Sequence, residues 1–140
     1  MKISVISFTK TGQQLAERIR ESMDGETAVT LYTKCSRLEK KTVPAVDDSS
    51  ADTICVRNSL SAWAGEQMAA RHALIFIGAC GIAVRAIAPW IMDKLHDSPV
   101  LVADEMGKYV IPLLSGHVGG ANELAVCLAG ALGACLLYTS

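Results

Sequence analysis

An uninterrupted apolar run at residues 73–77 constrains the fold more than any other feature of this sequence. The run reads ALIFI and contains no polar position, so it is expected to form a β-strand buried on both faces. Strands with one solvated face alternate apolar and polar residues instead. The run therefore predicts a sheet that is covered by helices on both sides.

Strand-like and helix-like segments alternate along the rest of the chain. Further strands are predicted at residues 2–7, 28–32, 99–103 and 108–113, and another apolar run begins at residue 134. Helical spacing follows three of the strands, in stripes that begin at Leu15, Leu60 and Leu124, and residues 81–91 are also expected to be helical until Pro89. This order predicts an α/β fold, a three-layer α/β/α sandwich with a mostly parallel sheet.

Two connections qualify this prediction. Residues 104–107 are a short link ending at Gly107, which favours one antiparallel hairpin between two of the strands. Residues 35–53 are polar and charged, which predicts a long surface connection with little regular structure. No repeat or linker divides the sequence, so residues 1–140 are predicted to be a single domain.

Composition and charge exclude several classes of protein. Of the 140 residues 51% are apolar and 19% charged, and the net charge is -1, so no basic excess favours a nucleic-acid partner. No apolar stretch approaches the ~18 residues of a membrane span, and the N-terminal segment does not resemble a signal peptide. The five cysteines are widely spaced and lack zinc-site spacing. We expect a cytoplasmic protein with reduced thiols, no membrane partner and no metal site, and the sequence leaves a homodimer open.

The segment between Leu114 and Leu124 is the strongest candidate for a ligand site. It contains three glycines, follows a predicted strand and opens a predicted helix, whose free N–H groups would favour a carboxylate or phosphate. We expect it at the carboxyl edge of the sheet, where α/β folds usually bind ligands. The alternative is a tight turn whose helix is capped by an Asn/Glu pair. The residues predicted to bind ligand here are Ser115, Gly116, Gly119, Gly120 and Asn122.

His117, in the same segment, is the best candidate for an acid/base group because an imidazole titrates near neutral pH. A loop histidine that only bonds to the backbone is the alternative. Glu105, at the hairpin tip, would orient His117 or act as a base if the tip folds over the same edge of the sheet; otherwise it is a solvated turn residue. Thr9 and its neighbours after the first strand form a weaker loop candidate, and the sequence leaves open whether they join this pocket.

A second glycine-bracketed turn precedes the apolar helix at residues 81–91. Gly78 and Gly81 flank the turn, which would be another cradle for an anion. Arg85 is the single charge in that helix, so it either extends to solvent or points at an acidic group.

Three motifs in the second half of the chain resemble the N-terminal domain of the CbiG family of cobalamin biosynthesis. They are GIAVRAIAP at residues 81–89, DEMGKYVI at 104–111 and LLSGHVGGANEL at 113–124, in that order. The resemblance implies an enzyme that opens the δ-lactone of cobalt-precorrin 5A and releases acetaldehyde. It also implies a further C-terminal domain that these 140 residues do not include.

The chemistry implied by the resemblance matches the candidate residues. The implied partner is a cobalt-precorrin corrinoid, whose carboxylates suit glycine-rich helix starts and an arginine. His117 would act on the water or the leaving oxygen, with Glu123 or Glu105 as its partner, and backbone N–H groups near Gly119 and Gly120 would stabilise the oxyanion. The cobalt belongs to the substrate, so no cofactor is expected. The alternatives are a corrinoid-binding module without catalysis and a generic phosphate-binding α/β domain.

Overall fold

One sheet of seven strands organises the described part of the chain. The computed structural model describes residues 2–23, 25–34, 53–93, 95–114 and 120–137. The strands lie in the order β3-β2-β1-β4-β5-β6-β7. Their bounds are β1 Lys2–Ser7, β2 Ala28–Thr33, β3 Ile54–Cys55, β4 Ala73–Ile77, β5 Val100–Ala103, β6 Tyr109–Leu114 and β7 Cys135–Leu136. The helices are α1 Lys10–Ser22, α2 Leu60–Ala69, α3 Cys80–Ile87 with a 3₁₀ turn Ala88–Trp90 directly after it, and α4 Ala121–Leu132.

The direction of the strands reverses once across the sheet. Strands β1 to β5 are mutually parallel, whereas β6 pairs antiparallel with β5, and β7 runs parallel to β6. In the β5–β6 pair, Ala103 lies opposite Val110 and Val100 lies opposite Leu114. The carboxyl end of β6 is therefore at the edge of the sheet where β1, β4 and β5 begin. We call this the amino edge and the opposite one the carboxyl edge.

Alternate residues of the central strands fill two separate cores. Ile75 of β4 faces a core that includes residues of α1 and α4, whereas Phe76 faces a core that includes residues of α2 and α3. Both side chains are essentially inaccessible to solvent. Since every residue of β4 is buried, the run shows no alternation, as a strand between two helical layers requires.

The predicted three-layer α/β/α sandwich is confirmed, including its antiparallel hairpin. The predicted strands agree with the observed ones to within one residue at their ends, apart from β7, which is only two residues long. The α-helix after β4 stops at Ile87 and the 3₁₀ turn contains Pro89, whose ring is incompatible with a helix interior. Strand β3 was not predicted because two residues carry no periodicity, and residues 35–52 lie outside the described part of the chain.

No helix among the described residues is long and apolar enough to cross a membrane.

The end of α2 holds a strained residue. The amide of His72 donates to the carbonyl of Gln67 and the amide of Arg71 to that of Met68, which is a Schellman ending. The residue at the left-handed position of this motif is usually glycine, but here it is Arg71, with φ 65°.

Arg71→Gly is expected to raise the free energy of unfolding by up to about 1 kcal/mol because it relieves the left-handed strain of a residue with a Cβ. Urea unfolding of the 140-residue chain measures the change. Ala70→Gly is the control, because Ala70 has helical dihedrals and the substitution should cost stability. If Arg71→Gly loses as much stability as Ala70→Gly, the left-handed conformation of Arg71 does not cost stability.

Candidate functional site

Loops that follow β1 and β5 meet at the carboxyl edge. The Thr9 hydroxyl accepts a hydrogen bond from the Gly12 amide at 2.9 Å and so caps the start of α1. The same hydroxyl donates to a carboxylate oxygen of Glu105 at 2.9 Å. A hydroxyl has one proton and two lone pairs, so it makes both bonds at once. Thr9 thereby ties the hairpin tip to the first turn of α1.

Asp104 and Gly107 determine the shape of this tip. The Asp104 carboxylate accepts backbone hydrogen bonds from Met106, Lys108 and Tyr109 at 3.2, 2.8 and 2.7 Å, respectively, which makes it a structural residue of the turn. Gly107 has φ 71°, and a Cβ there would lie 3.0 Å from a Leu15 methyl group. The tip packs closely on α1, and Glu105 is held rather than freely solvated.

The second predicted turn lies at the same edge but leads to the other face of the sheet. The Gly78 amide donates to the Ala103 carbonyl at 2.9 Å, which joins the end of β4 to the end of β5. Gly81 is exposed in the first turn of α3, and no atom lies within 4 Å of the place where a Cβ would be. Arg85 is also exposed and makes no hydrogen bond or ion pair within the described residues. It therefore extends to solvent, one of the two outcomes expected from sequence.

Gly120, Asn122 and Glu123 lie at the opposite edge from these residues. They begin α4, which follows β6, and β6 runs antiparallel to β5. The expectation that this segment opens at the carboxyl edge is therefore wrong for its described part. The reversal also separates Glu105 from Glu123 by about the length of a strand, on the order of 16 Å for five residues. The structure does not bring the two candidate carboxylates together.

At the amino edge, α4 begins beside a groove of about 470 Å³. Gly120 is the residue before the helix, with φ 90°, and none of the described side chains caps it, so the alternative of an Asn/Glu cap is not observed there. The exposed Glu123 stands in the first turn, where a carboxylate is favoured by the helix dipole. The predicted residues Ser115, Gly116, His117 and Gly119 lie outside the described residues. The groove is lined by Ile3, Ser22, Met23, Thr27, Gly120, Glu123, Leu124 and Cys127.

The other two histidines have structural partners. His72 Nδ1 lies 2.9 Å from Oε1 of Gln67, which also accepts a hydrogen bond from the buried Ser4 hydroxyl at 2.7 Å. His96 lies at the surface with its Nδ1 2.9 Å from Asp93, and hydrogen bonding to the His96 side chain lowers the pKa of the Asp93 carboxyl. Within the described ranges, no three His, Cys, Asp or Glu side chains are grouped as metal ligands would be.

Comparison with known proteins decides the family. Residues 62–140 match the family model described as Cobalamin synthesis G N-terminal. A cobalt-precorrin-5A hydrolase of Salmonella typhimurium is 41% identical over 132 residues, which is 94% of this chain. The chain belongs to the cobalamin synthesis G N-terminal family. The resemblance inferred from the three motifs is confirmed.

The family relatives are considerably longer than these 140 residues. The matched region is 33% of the Salmonella typhimurium protein, and a Priestia megaterium cobalt-precorrin-5A hydrolase is 52% identical over 59 residues, 42% of this chain and 16% of that protein. A crystal structure described as a cobalamin biosynthesis protein G homolog from Sulfolobus solfataricus superposes with a TM-score of 0.66 at 23% identity. That superposition covers 99% of this chain and 36% of the other, and it supports the fold.

The role of Thr9 was not predicted from the sequence. The residue was expected to be at most a weak loop candidate, yet it bonds to one of the predicted carboxylates. A threonine between a strand and a helix does indicate an N-cap, but the partner of its proton is 96 residues away in sequence. Only the tertiary structure identifies that partner.

Thr9→Val is expected to lower the free energy of unfolding by about 1 kcal/mol, because it removes the cap of α1 and the bond to Glu105 together. Thr9→Ser keeps both bonds and should retain most of the stability. Urea unfolding of the 140-residue chain measures both variants. Thr11→Val is the matched control in the first turn of the same helix, and an equal loss there would mean that the two bonds of Thr9 contribute nothing.

Proposed function

We propose that this chain is the N-terminal module of a cobalt-precorrin-5A hydrolase, which opens the δ-lactone of cobalt-precorrin 5A and releases acetaldehyde to give cobalt-precorrin 5B. The observation that carries the proposal is the 41% identity to the Salmonella typhimurium hydrolase across 94% of the chain. The cobalt arrives with the substrate, and the proposal assigns no cofactor to the protein. The cytoplasmic location expected from the sequence is part of the same proposal.

We propose the amino edge as the location of the acid/base chemistry. Leu114 and Gly120, the described residues on either side of residues 115–119, both lie at this edge, and so does Glu123. Glu123 is therefore a better partner for His117 than Glu105, whose carboxylate is engaged by Thr9 at the other edge. Lactone opening needs a group that takes a proton from water and donors for the oxyanion, the roles proposed for His117 and for the N–H groups near Gly119 and Gly120.

This assignment predicts different results for the two glutamates in the full-length protein that carries these residues. His117→Ala and Glu123→Gln are expected to lower kcat for acetaldehyde release, on the order of 10²-fold or more for a general acid–base group. Glu105→Gln should change kcat by only a few-fold, since an amide oxygen still accepts the Thr9 proton.

The measurement is acetaldehyde formed from cobalt-precorrin 5A, with circular dichroism of each variant as the folding control. If Glu105→Gln loses as much activity as Glu123→Gln, the assignment to the amino edge is wrong. Full activity in His117→Ala would remove the histidine from the mechanism and leave the family assignment intact.

A second candidate function is favoured by the separation of the predicted residues. The described part of the chain places Gly78, Gly81 and Arg85 at the carboxyl edge or on the helix that starts there, and Glu123 at the other edge. The module would then only hold the corrinoid, and the remaining two thirds of the protein would supply the catalytic groups. Such a module does not need its arginine and its glutamate to lie close together. In that case Arg85 would bind a substrate carboxylate through its planar guanidinium.

Titration of the 140-residue chain with a cobalt corrinoid that carries free carboxylates, followed by its visible spectrum, tests this candidate. Saturable binding without acetaldehyde release, weakened by Arg85→Ala but not by Arg57→Ala, is the expected result for a holding module. Release of acetaldehyde by the 140 residues alone would exclude it.

A further inference from the structure

Helix α3 leaves two large apolar side chains partly exposed. Its buried face consists of Ala83, Ala86 and Ile87, none more than 3% exposed. Ile82 and Val84, two positions apart, lie on the two flanks of this face and are 39% and 45% exposed. The helix therefore leaves apolar surface beside the side that packs on the sheet.

The segment after α3 continues the same pattern. Trp90 and Ile91 are 42% and 45% exposed, and Met92 and Leu95 reach 70% and 64%. Six exposed large apolar residues thus fall between Ile82 and Leu95, while the other five of the described chain are spread from Ile54 to Leu137. Single exposed apolar residues are common in soluble proteins, but a concentration of them usually marks an interaction site.

Trp90 is held in its outward position by contacts with α2. Its indole N–H donates to the Ser61 carbonyl at 2.8 Å. The ring lies against Gly65, where a Cβ would come within 2.6 Å of a ring carbon, so only glycine leaves room for it. The indole is fixed, and its exposed part does not result from a loose side chain.

The residues beyond Trp90 are also fixed, through two aspartates. The carboxylate of Asp97, which is 8% exposed, accepts a hydrogen bond from the Met92 amide at 2.8 Å. The buried Asp97 carboxylate therefore holds this turn. Asp93 accepts from the Leu95 amide at 2.8 Å. Side chains with ordered backbone support present a defined surface to a partner at little cost in conformational entropy.

We propose that the outer α3 surface, formed by Trp90, Ile91, Met92 and Leu95 directly after that helix, is where the rest of a family-length chain packs against this module. The Salmonella typhimurium relative is about three times as long as the matched region, so a family-length chain contains a large partner for this face. The partner is expected to present apolar side chains here, since Trp90, Ile91, Met92 and Leu95 are all large, apolar and exposed.

The inference also gives Arg85 a location within the larger protein. Arg85 is exposed on α3, the helix that leads into the outer α3 surface. Ligand sites occur preferentially at interfaces between domains. A substrate carboxylate bound by Arg85 would therefore lie at the junction between the two parts of the chain. The packing itself rests on the family membership and does not depend on the proposed hydrolysis.

Hydroxyl-radical footprinting of the full-length protein tests the inference with an internal control. Met92 and Met106 are similarly exposed in the structure, 70% and 63%, but Met106 lies at the hairpin tip and outside the outer α3 surface. If the rest of the chain covers this surface, Met92 should oxidise several-fold more slowly than Met106, whatever the protein concentration and without any corrinoid. The readout needs no activity, so an inactive preparation with a protected Met92 would count against the proposed function alone.

Three results would overturn the inference. Equal oxidation of Met92 and Met106 would mean that the surface stays exposed. Protection of Met92 that disappears on dilution would mean that a second copy covers it, and protection that requires an added corrinoid would mean that the substrate does. As a second measurement, Met92→Glu should lower the Tm of the full-length protein, whereas Met106→Glu should leave it nearly unchanged.

Discussion

The pairing of β6 with β5 is the constraint on which the arrangement of the candidate site depends. Val110 lies opposite Ala103 and Leu114 opposite Val100, so the chain turns back across the edge of the parallel sheet. A parallel β6 would have brought the start of α4 to the carboxyl edge, beside Glu105 and Gly78. The antiparallel hairpin sends it to the amino edge, and the glycine turns of the sequence are thereby divided between two edges.

The hairpin that causes this reversal is stabilised by a few local interactions. Asp104 satisfies three backbone amides of the turn, and Gly107 allows the tip to approach Leu15. Thr9 then links the tip to α1 through Glu105. The DEMG sequence thus has a structural explanation for its aspartate and its glycine. A predicted catalytic role for Glu105 has to compete with this structural one.

The helices on the two faces of the sheet also differ in the side chains that they bury. The face that carries α1 and α4 buries large side chains from both helices, whereas α3 on the other face contributes mainly alanines to the core. Ile82 and Val84 lie on its flanks and stay partly exposed. The Salmonella typhimurium relative is about three times as long as the matched region, and partly exposed apolar side chains suit a module that packs against more of the same polypeptide.

The sequence by itself determined the fold class, every strand except β3, and the family. Continuous apolar runs such as residues 73–77 and the turn residues around Gly107 are local signals, and the three motifs are specific enough to identify relatives. The tertiary structure decided which loops share an edge, that Thr9 holds Glu105, and that large apolar residues from Trp90 to Leu95 are exposed. These relations depend on strand direction and on packing between residues far apart in the sequence, which periodicity and composition do not encode.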